Sequence, residues 1–320
     1  MEKKQEYWGN IPAWSFFLAA TGAMMVVIVA VTDLLGNQIA GQINGWVSLV
    51  SMVAAGIGSL LLLIELPRKE KGHLVNSRPG SSIMSFGSIL QSLFIVLAFF
   101  YATFFFGFIP WYGLIWLKKT IAVIGIIIAL ALVAYPGIEL GEARGRAFWN
   151  GGALVSVFLI SGAATGAAGL LLLLTFLAYG DLSYIAIIRG LLFGLLTVQL
   201  ITVTGYVVGM KFSAAEEARR SAEIILRGDL KGTFWVGVII LGTLVPLLSM
   251  LLDMLFFTAI GAILVLAGGI CFRMVFLKAA VRMAMPGEGR EGISDKQIAQ
   301  LAVALERRWQ EKASWLNPNR

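Results

Sequence analysis

Apolar residues in this chain come in long runs separated by short stretches rich in charge, glycine and proline. Six runs cover about Ala13–Val31, Trp46–Leu66, Phe86–Ile109, Trp116–Tyr135, Gly151–Tyr179 and Tyr184–Met210. Each is near or above the roughly 20 residues needed to cross the hydrocarbon of a bilayer as a helix. The last run, Gly232–Ala280, has 49 residues. It is too long for one tilted helix and divides into two, with a tight turn near Met250–Met254. The pattern predicts an all-α polytopic membrane protein with eight transmembrane helices, arranged as two four-helix bundles. That domain is expected over residues 1–280, followed by a basic, partly helical surface tail over 281–320. The first run is long enough to stay in the membrane, so it reads as a span and not as a cleaved leader.

Composition agrees with the pattern. The chain is 58% hydrophobic and only 13% charged, where soluble domains carry about 25% charge. Its 36 glycines suit close approach of helix backbones in lipid. The net charge of +7 is informative through its placement. Arg68, Lys69, Lys71 and Arg78 follow span two; Arg144 and Arg146 follow span four. Lys211, Arg219, Arg220, Arg227 and Lys231 follow span six, and Arg282 and Arg290 follow span eight. The opposite loops, Gly36–Gly45, Pro110–Gly113 and Gly180–Ser183, contain no Lys or Arg. Lys118 and Lys119 are the exception, and can snorkel from the start of span four. The positive-inside rule then places both termini in the cytoplasm of a prokaryotic inner membrane. No nucleic-acid recognition motif accompanies the basic residues. Two surface helices are expected from the capping boxes Ser213–Glu216 and Ser294–Gln297.

The single Cys271 and single His73 limit the chemistry. They cannot form an internal disulfide, a cysteine-ligated iron–sulfur cluster or a bis-histidine haem site. The remaining candidates are polar groups at helix ends. Glu65 closes span two beside Arg68: either a helix-end ion pair or a proton-exchange point. His73 is a second candidate for proton exchange, or an ordinary loop residue. Tyr135 precedes Pro136, which tends to end or kink a helix; Glu139 and Glu142 follow. A phenol and a carboxylate with aromatic walls would suit a quinone, whose two oxygens need donors and a proton route. The alternative is an interfacial tyrosine at a helix break. Asn10, Trp14 and Phe17 begin span one, as packing or as the wall of a flat ligand. Asp33, Gln91, Arg189, Gln199, Asp253 and Arg273 lie in or near spans, and Arg273 stands between apolar segments on both sides.

Taken together, Ile64–Lys71, Arg78–Gly87, Ala134–Leu140, Trp149-Asn150, Phe158–Gly162 and Thr165-Gly166 resemble the polysulfide reductase membrane-subunit family, also called NrfD-like. The resemblance implies an eight-helix anchor without haem or clusters of its own. Such an anchor exchanges electrons between quinone, here expected to be menaquinone, and a ferredoxin-like iron–sulfur subunit, which in turn serves a molybdopterin or other redox subunit. On that resemblance Tyr135 stands at the quinone headgroup, and Trp14 falls where some relatives place a histidine. Glu65 matches an acidic position before the basic loop. The expected proton-handling residues are Tyr135, Glu65, His73 and Glu139. The expected quinone-binding residues are Asn10, Trp14, Phe17, Tyr135, Arg78 and Ser85. Two other readings remain open: a secondary transporter or channel for a small solute, and a structural anchor without quinone chemistry. In inside-out vesicles, externally added trypsin is expected to cut within Lys211–Lys231; protection there would overturn the charge-based topology.

Overall fold

The structure, a computed structural model, describes residues 9–36, 41–65, 83–143, 145–177, 182–252, 254–282 and 302–309. Among these residues all regular structure is helical. The helices are α1 (Asn10–Leu34), α2 (Gly41–Glu65), α3 (Ile83–Thr103), α4 (Ile115–Gly141), α5 (Leu154–Phe176), α6 (Leu182–Lys211) and α7 (Glu216–Leu226). They are followed by α8 (Thr233–Ser249) and α9 (Leu255–Lys278). Helices α1 to α6 and α9 are long and apolar enough to cross a membrane, and α8 is a shorter apolar helix. The protein is therefore an eight-helix polytopic membrane protein, with α7 as a short additional helix. Ile57, Leu60, Val96, Ile127, Ile201 and Phe256 are exposed along the spans, as lipid-facing positions require.

Helices α1 to α4 form one ring of neighbours: α1 packs on α2, α2 on α3, α3 on α4, and α4 returns to α1. Helices α5, α6, α8 and α9 form a second ring in the same manner. The rings meet where α1 and α4 pack on α5 and where α1 packs on α9. Small residues make this possible. A side chain on Gly22 would lie 2.7 Å from the Ser51 carbonyl oxygen, and one on Gly166 would lie 2.9 Å from the Met24 backbone. A side chain on Gly242 of α8 would lie 2.6 Å from Gly268 Cα of α9. Residues Thr233–Leu244 of α8 are wound as a wider π-helix, and Thr243 Oγ1 donates to the Val238 carbonyl five residues back at 2.8 Å.

Several boundaries differ from those expected, for physical reasons. Helix α4 does not end at Tyr135 but continues through Pro136 to Gly141. Proline costs one hydrogen bond there, which packed neighbours in a membrane protein tolerate. Helix α3 stops at Thr103, not Ile109. The apolar segment beyond turns through Gly107 and Pro110, and Trp111 Nε1 donates back to Thr103 Oγ1 at 2.9 Å. The capping box at Ser213 does not form. Ser213 N bonds the Met210 carbonyl at 3.2 Å, which holds Ser213 in the last turn of α6. Its hydroxyl accepts from Ala215 N, and α7 begins at Glu216 without a side-chain cap. Helix α7 buries Ala218, Ser221, Ala222 and Ile225, while Arg220 pairs with Glu216 on its outer side. The second capping box lies outside the described residues. Residues 302–309 form a short exposed helix within a separate unit, residues 283–320.

Lys118 does not snorkel away from the protein. Its Nζ pairs with Asp33 Oδ1 at 2.9 Å and lies 5.1 Å from the Phe105 ring centre. Tyr101 donates to Asp33 Oδ2 at 3.2 Å. These contacts join α1, α3 and α4 at the end of the first ring opposite the chain start. The side chains of Lys118 and Asp33 are 18% and 5% exposed, so removal of one partner strands a largely desolvated charge. Lys118→Met is expected to destabilise the full chain in detergent by roughly 3 kcal/mol. The pair Asp33→Asn with Lys118→Met should recover most of that loss. An unchanged unfolding midpoint in the single variant would contradict this account.

Candidate functional site

The start of α1, the end of α2, the start of α3 and the end of α4 share one end of the first ring. Tyr135 lies there on α4, 6% exposed. Because the helix runs on past Pro136, Glu139 falls one turn beyond Tyr135 on the same face. The Glu139 carboxylate is an electrostatic neighbour of the Tyr135 phenol. On the facing helix α3, a side chain at Gly87 would overlap the Tyr135 ring. Glycine at this position therefore lets the phenol rest against the α3 backbone. On the other side of α4, a side chain at Gly137 would lie 2.7 Å from Val155 Cα. The turn Tyr135–Glu139 is thus held from both sides by backbone. Ser85 is buried two residues before Gly87.

Polar contacts tie the neighbouring helices to this level. Ser15 Oγ donates to the Gly58 carbonyl at 2.8 Å, and Gln91 Nε2 donates to the Ala55 carbonyl at 2.9 Å. Gly58 is small because a side chain there would lie 3.0 Å from the Ser15 carbonyl oxygen. Gln91, noted in the sequence only as a scattered polar residue, is a joint between α2 and α3.

The other expected site residues separate into three groups. Trp14 is 41% exposed and meets the buried Phe17 edge-on, with ring centres 6.0 Å apart. Phe17 faces α9: its ring centre lies 5.4 Å from Arg273 Cζ. Trp14 and Phe17 therefore lie along the α1 flank toward the second ring, whereas Tyr135 rests on α3. Asn10 is exposed at the first residue of α1. His73 and Arg78 lie outside the described residues, as do Arg144 and Asp253. Glu65 is the last residue of α2, with its side chain also outside the description.

The α4–α5 connection closes this end against the second ring. Arg146 Nη1 donates to the Ala280 carbonyl at 2.7 Å, and its guanidinium lies 5.0 Å from the Trp149 ring centre. Burial, then the nearby Arg282, pull the Arg146 guanidinium below its usual range. Trp149 Nε1 donates to the Phe276 carbonyl at 2.9 Å, and Tyr206 donates to the Phe148 carbonyl at 2.5 Å. Trp149 thus acts as a strut between the rings. Among the described residues, no group of three His, Cys, Asp or Glu side chains is placed to hold a metal ion.

This arrangement sets a buried phenol and a carboxylate one helical turn apart, on a turn packed closely against α3 and α5. It can hold a hydrogen-bond acceptor and pass a proton along one helical turn. In comparisons with known proteins, residues 1–284 match the family model described as Polysulphide reductase, NrfD. No curated protein matches the chain. The seat of the phenol generates a direct test. Gly87→Ala is expected to lower stability by about 1–3 kcal/mol through overpacking against the ring. In a Tyr135→Ala background the same substitution should cost almost nothing. Equal costs in both backgrounds, measured by unfolding in detergent, would show that the ring does not rest on Gly87.

Proposed function

The chain belongs to the NrfD polysulphide reductase family, and from that premise we propose that it is the quinone-reactive membrane subunit of a respiratory oxidoreductase complex. Membership supports a membrane subunit of a polysulfide-reductase-like assembly. The observation that carries the finer reading is the Tyr135–Glu139 pair, seated on Gly87 at one end of the first ring. Its chemistry fits a quinone headgroup. The phenol can donate to a ring oxygen, and the adjoining carboxylate can hold the proton that moves with it.

A bound quinol, taken here as menaquinol, supplies two electrons and two protons, and the electrons go to clusters on a ferredoxin-like partner. This chain's own residues orient the ring and handle protons. Tyr135 binds and orients the headgroup. Glu139 takes the proton from the phenol side and passes it toward the aqueous end of α4. Ser85, near Gly87 on α3, is the second polar group at this level. Glu65, at the end of α2, and His73, in the segment joining α2 to α3, are assigned to proton exchange with water, and Arg78 of that segment to the quinone headgroup. Asn10 and Trp14, both exposed, would border the route by which the headgroup reaches the site. The partner would dock at this end of the chain, connecting it to a molybdopterin or other redox subunit. The charge distribution favours the cytoplasmic side of a prokaryotic inner membrane.

In the intact complex, Tyr135→Phe is expected to slow quinol-driven reduction of the partner's clusters by about a hundredfold, the usual scale for losing a positioned acid–base group, here the one that relays the proton the quinol gives up. Glu139→Gln should slow the same step while retaining binding of a quinone analogue. Reduction of the clusters by a soluble artificial donor should be unaffected in both variants. A Tyr135→Phe complex with wild-type quinol turnover would sink the assignment. Solute uptake by the chain alone in vesicles would favour the transporter reading instead.

A further inference from the structure

Among the described residues, the largest buried polar group with unpartnered atoms is Arg273, fully buried in α9. Its Nη1 donates to the Gly269 carbonyl at 3.0 Å, within its own helix. Its Nε and Nη2 have no hydrogen-bond partner. Those two nitrogens form one edge of the guanidinium, with parallel N–H bonds. That edge matches a planar oxyanion in bidentate geometry. An arginine remains charged under ordinary conditions, and a buried charge without a counter-charge is costly in a membrane.

A second orphan lies opposite. Ser161 Oγ on α5 is fully buried and also has no hydrogen-bond partner. Helices α5 and α9 are antiparallel in the ring. A side chain at Gly269 would overlap Thr165, and Phe158 packs on Phe276 with ring centres 6.4 Å apart. That register places Ser161 level with Arg273. Among the described residues, the neighbouring hydroxyls and rings are already engaged. Thr165 Oγ1 donates to the Gly162 carbonyl and accepts from Thr21. Phe17 and Phe272 cover the guanidinium, with ring centres 5.4 and 6.0 Å from Cζ.

We propose that Arg273 and Ser161 form a buried binding site, between α1, α5 and α9, for a small planar monovalent oxyanion of the carboxylate or nitrate type. The guanidinium edge takes two oxygens of the anion, and the Ser161 hydroxyl donates to one of them. The anion supplies the missing negative charge and joins the second ring to α1 through Phe17 and Thr21. A water molecule could satisfy the hydrogen bonds but would leave the charge unbalanced, which is why an anion is preferred. This site is independent of the quinone reading, because its donors lie on the other flank of α1 from Tyr135.

The test is thermal unfolding of the full chain in nanodiscs, titrated with formate or nitrate at constant ionic strength. The midpoint should rise and saturate with either planar anion, and should not respond to sulfate. Arg273→Gln should abolish the saturable rise. Ser161→Ala keeps the cation and should raise the half-saturating concentration about fivefold, the scale of one lost hydrogen bond. If Arg273→Gln does not fold, the Ser161→Ala comparison decides alone. An identical response in wild type and variants would overturn the proposal. So would a high-resolution map showing a lone water on the guanidinium edge.

Discussion

In hydrocarbon, apolar side chains gain little by leaving lipid for protein, so helices must be held by close contact and by hydrogen bonds between them. Helix α1 illustrates this constraint. Gly22 admits the Ser51 backbone from α2, while Gly166 of α5 admits the backbone at Met24. Ser15 bonds α2 and Thr21 bonds α5. Helix α1 is therefore the shared wall of both rings, and every functional feature is positioned relative to it. The Tyr135 turn lies on one side and the buried Arg273 guanidinium on the other. A slight displacement of α1 would disturb both.

The polar groups are arranged by level. One end of the first ring carries the Asp33–Lys118–Tyr101 group, which is internally paired. The other end carries Tyr135 and Glu139, which lie one turn apart on one helix. The first is a fastening between helices. The second sets a phenol and a carboxylate on a single turn packed between α3 and α5. Gly87 shows how little separates the two kinds of role, since the absence of one carbon fixes the orientation of the phenol.

Much of this was legible in the sequence because lipid imposes a simple code. Runs of about 20 apolar residues gave the spans, and the break near Met250 in the last run divided α8 from α9. Tyr135 and Glu139 could be named together as neighbours in sequence, but the helical turn that joins them was not expected. What was hidden depended on contacts across helices. Pro136 reads locally as a terminator, yet packing carries α4 through it. Lys118 reads as an interfacial cation, yet Asp33 lies 85 positions away in the chain and within reach in space. Phe17 and Trp14 share a stripe with no mark to say which flank of α1 they face. Gly87 looked like one of many glycines, and only the fold shows which ring rests on it.

Helix α8 has a consequence for the membrane around the protein. Its 17 residues would span about 25 Å even at the rise of a regular α-helix, against roughly 30 Å of hydrocarbon. The wider winding of Thr233–Leu244 shortens it further. Lipid tails beside α8 must therefore compress, or the polar headgroups must dip toward it. This flank would act as a local thin spot, at a cost of fractions of a kcal/mol per Å of mismatch. Neighbouring subunits whose own helices are short would relieve that strain by packing there, so bilayer thickness itself becomes a term in how the complex assembles.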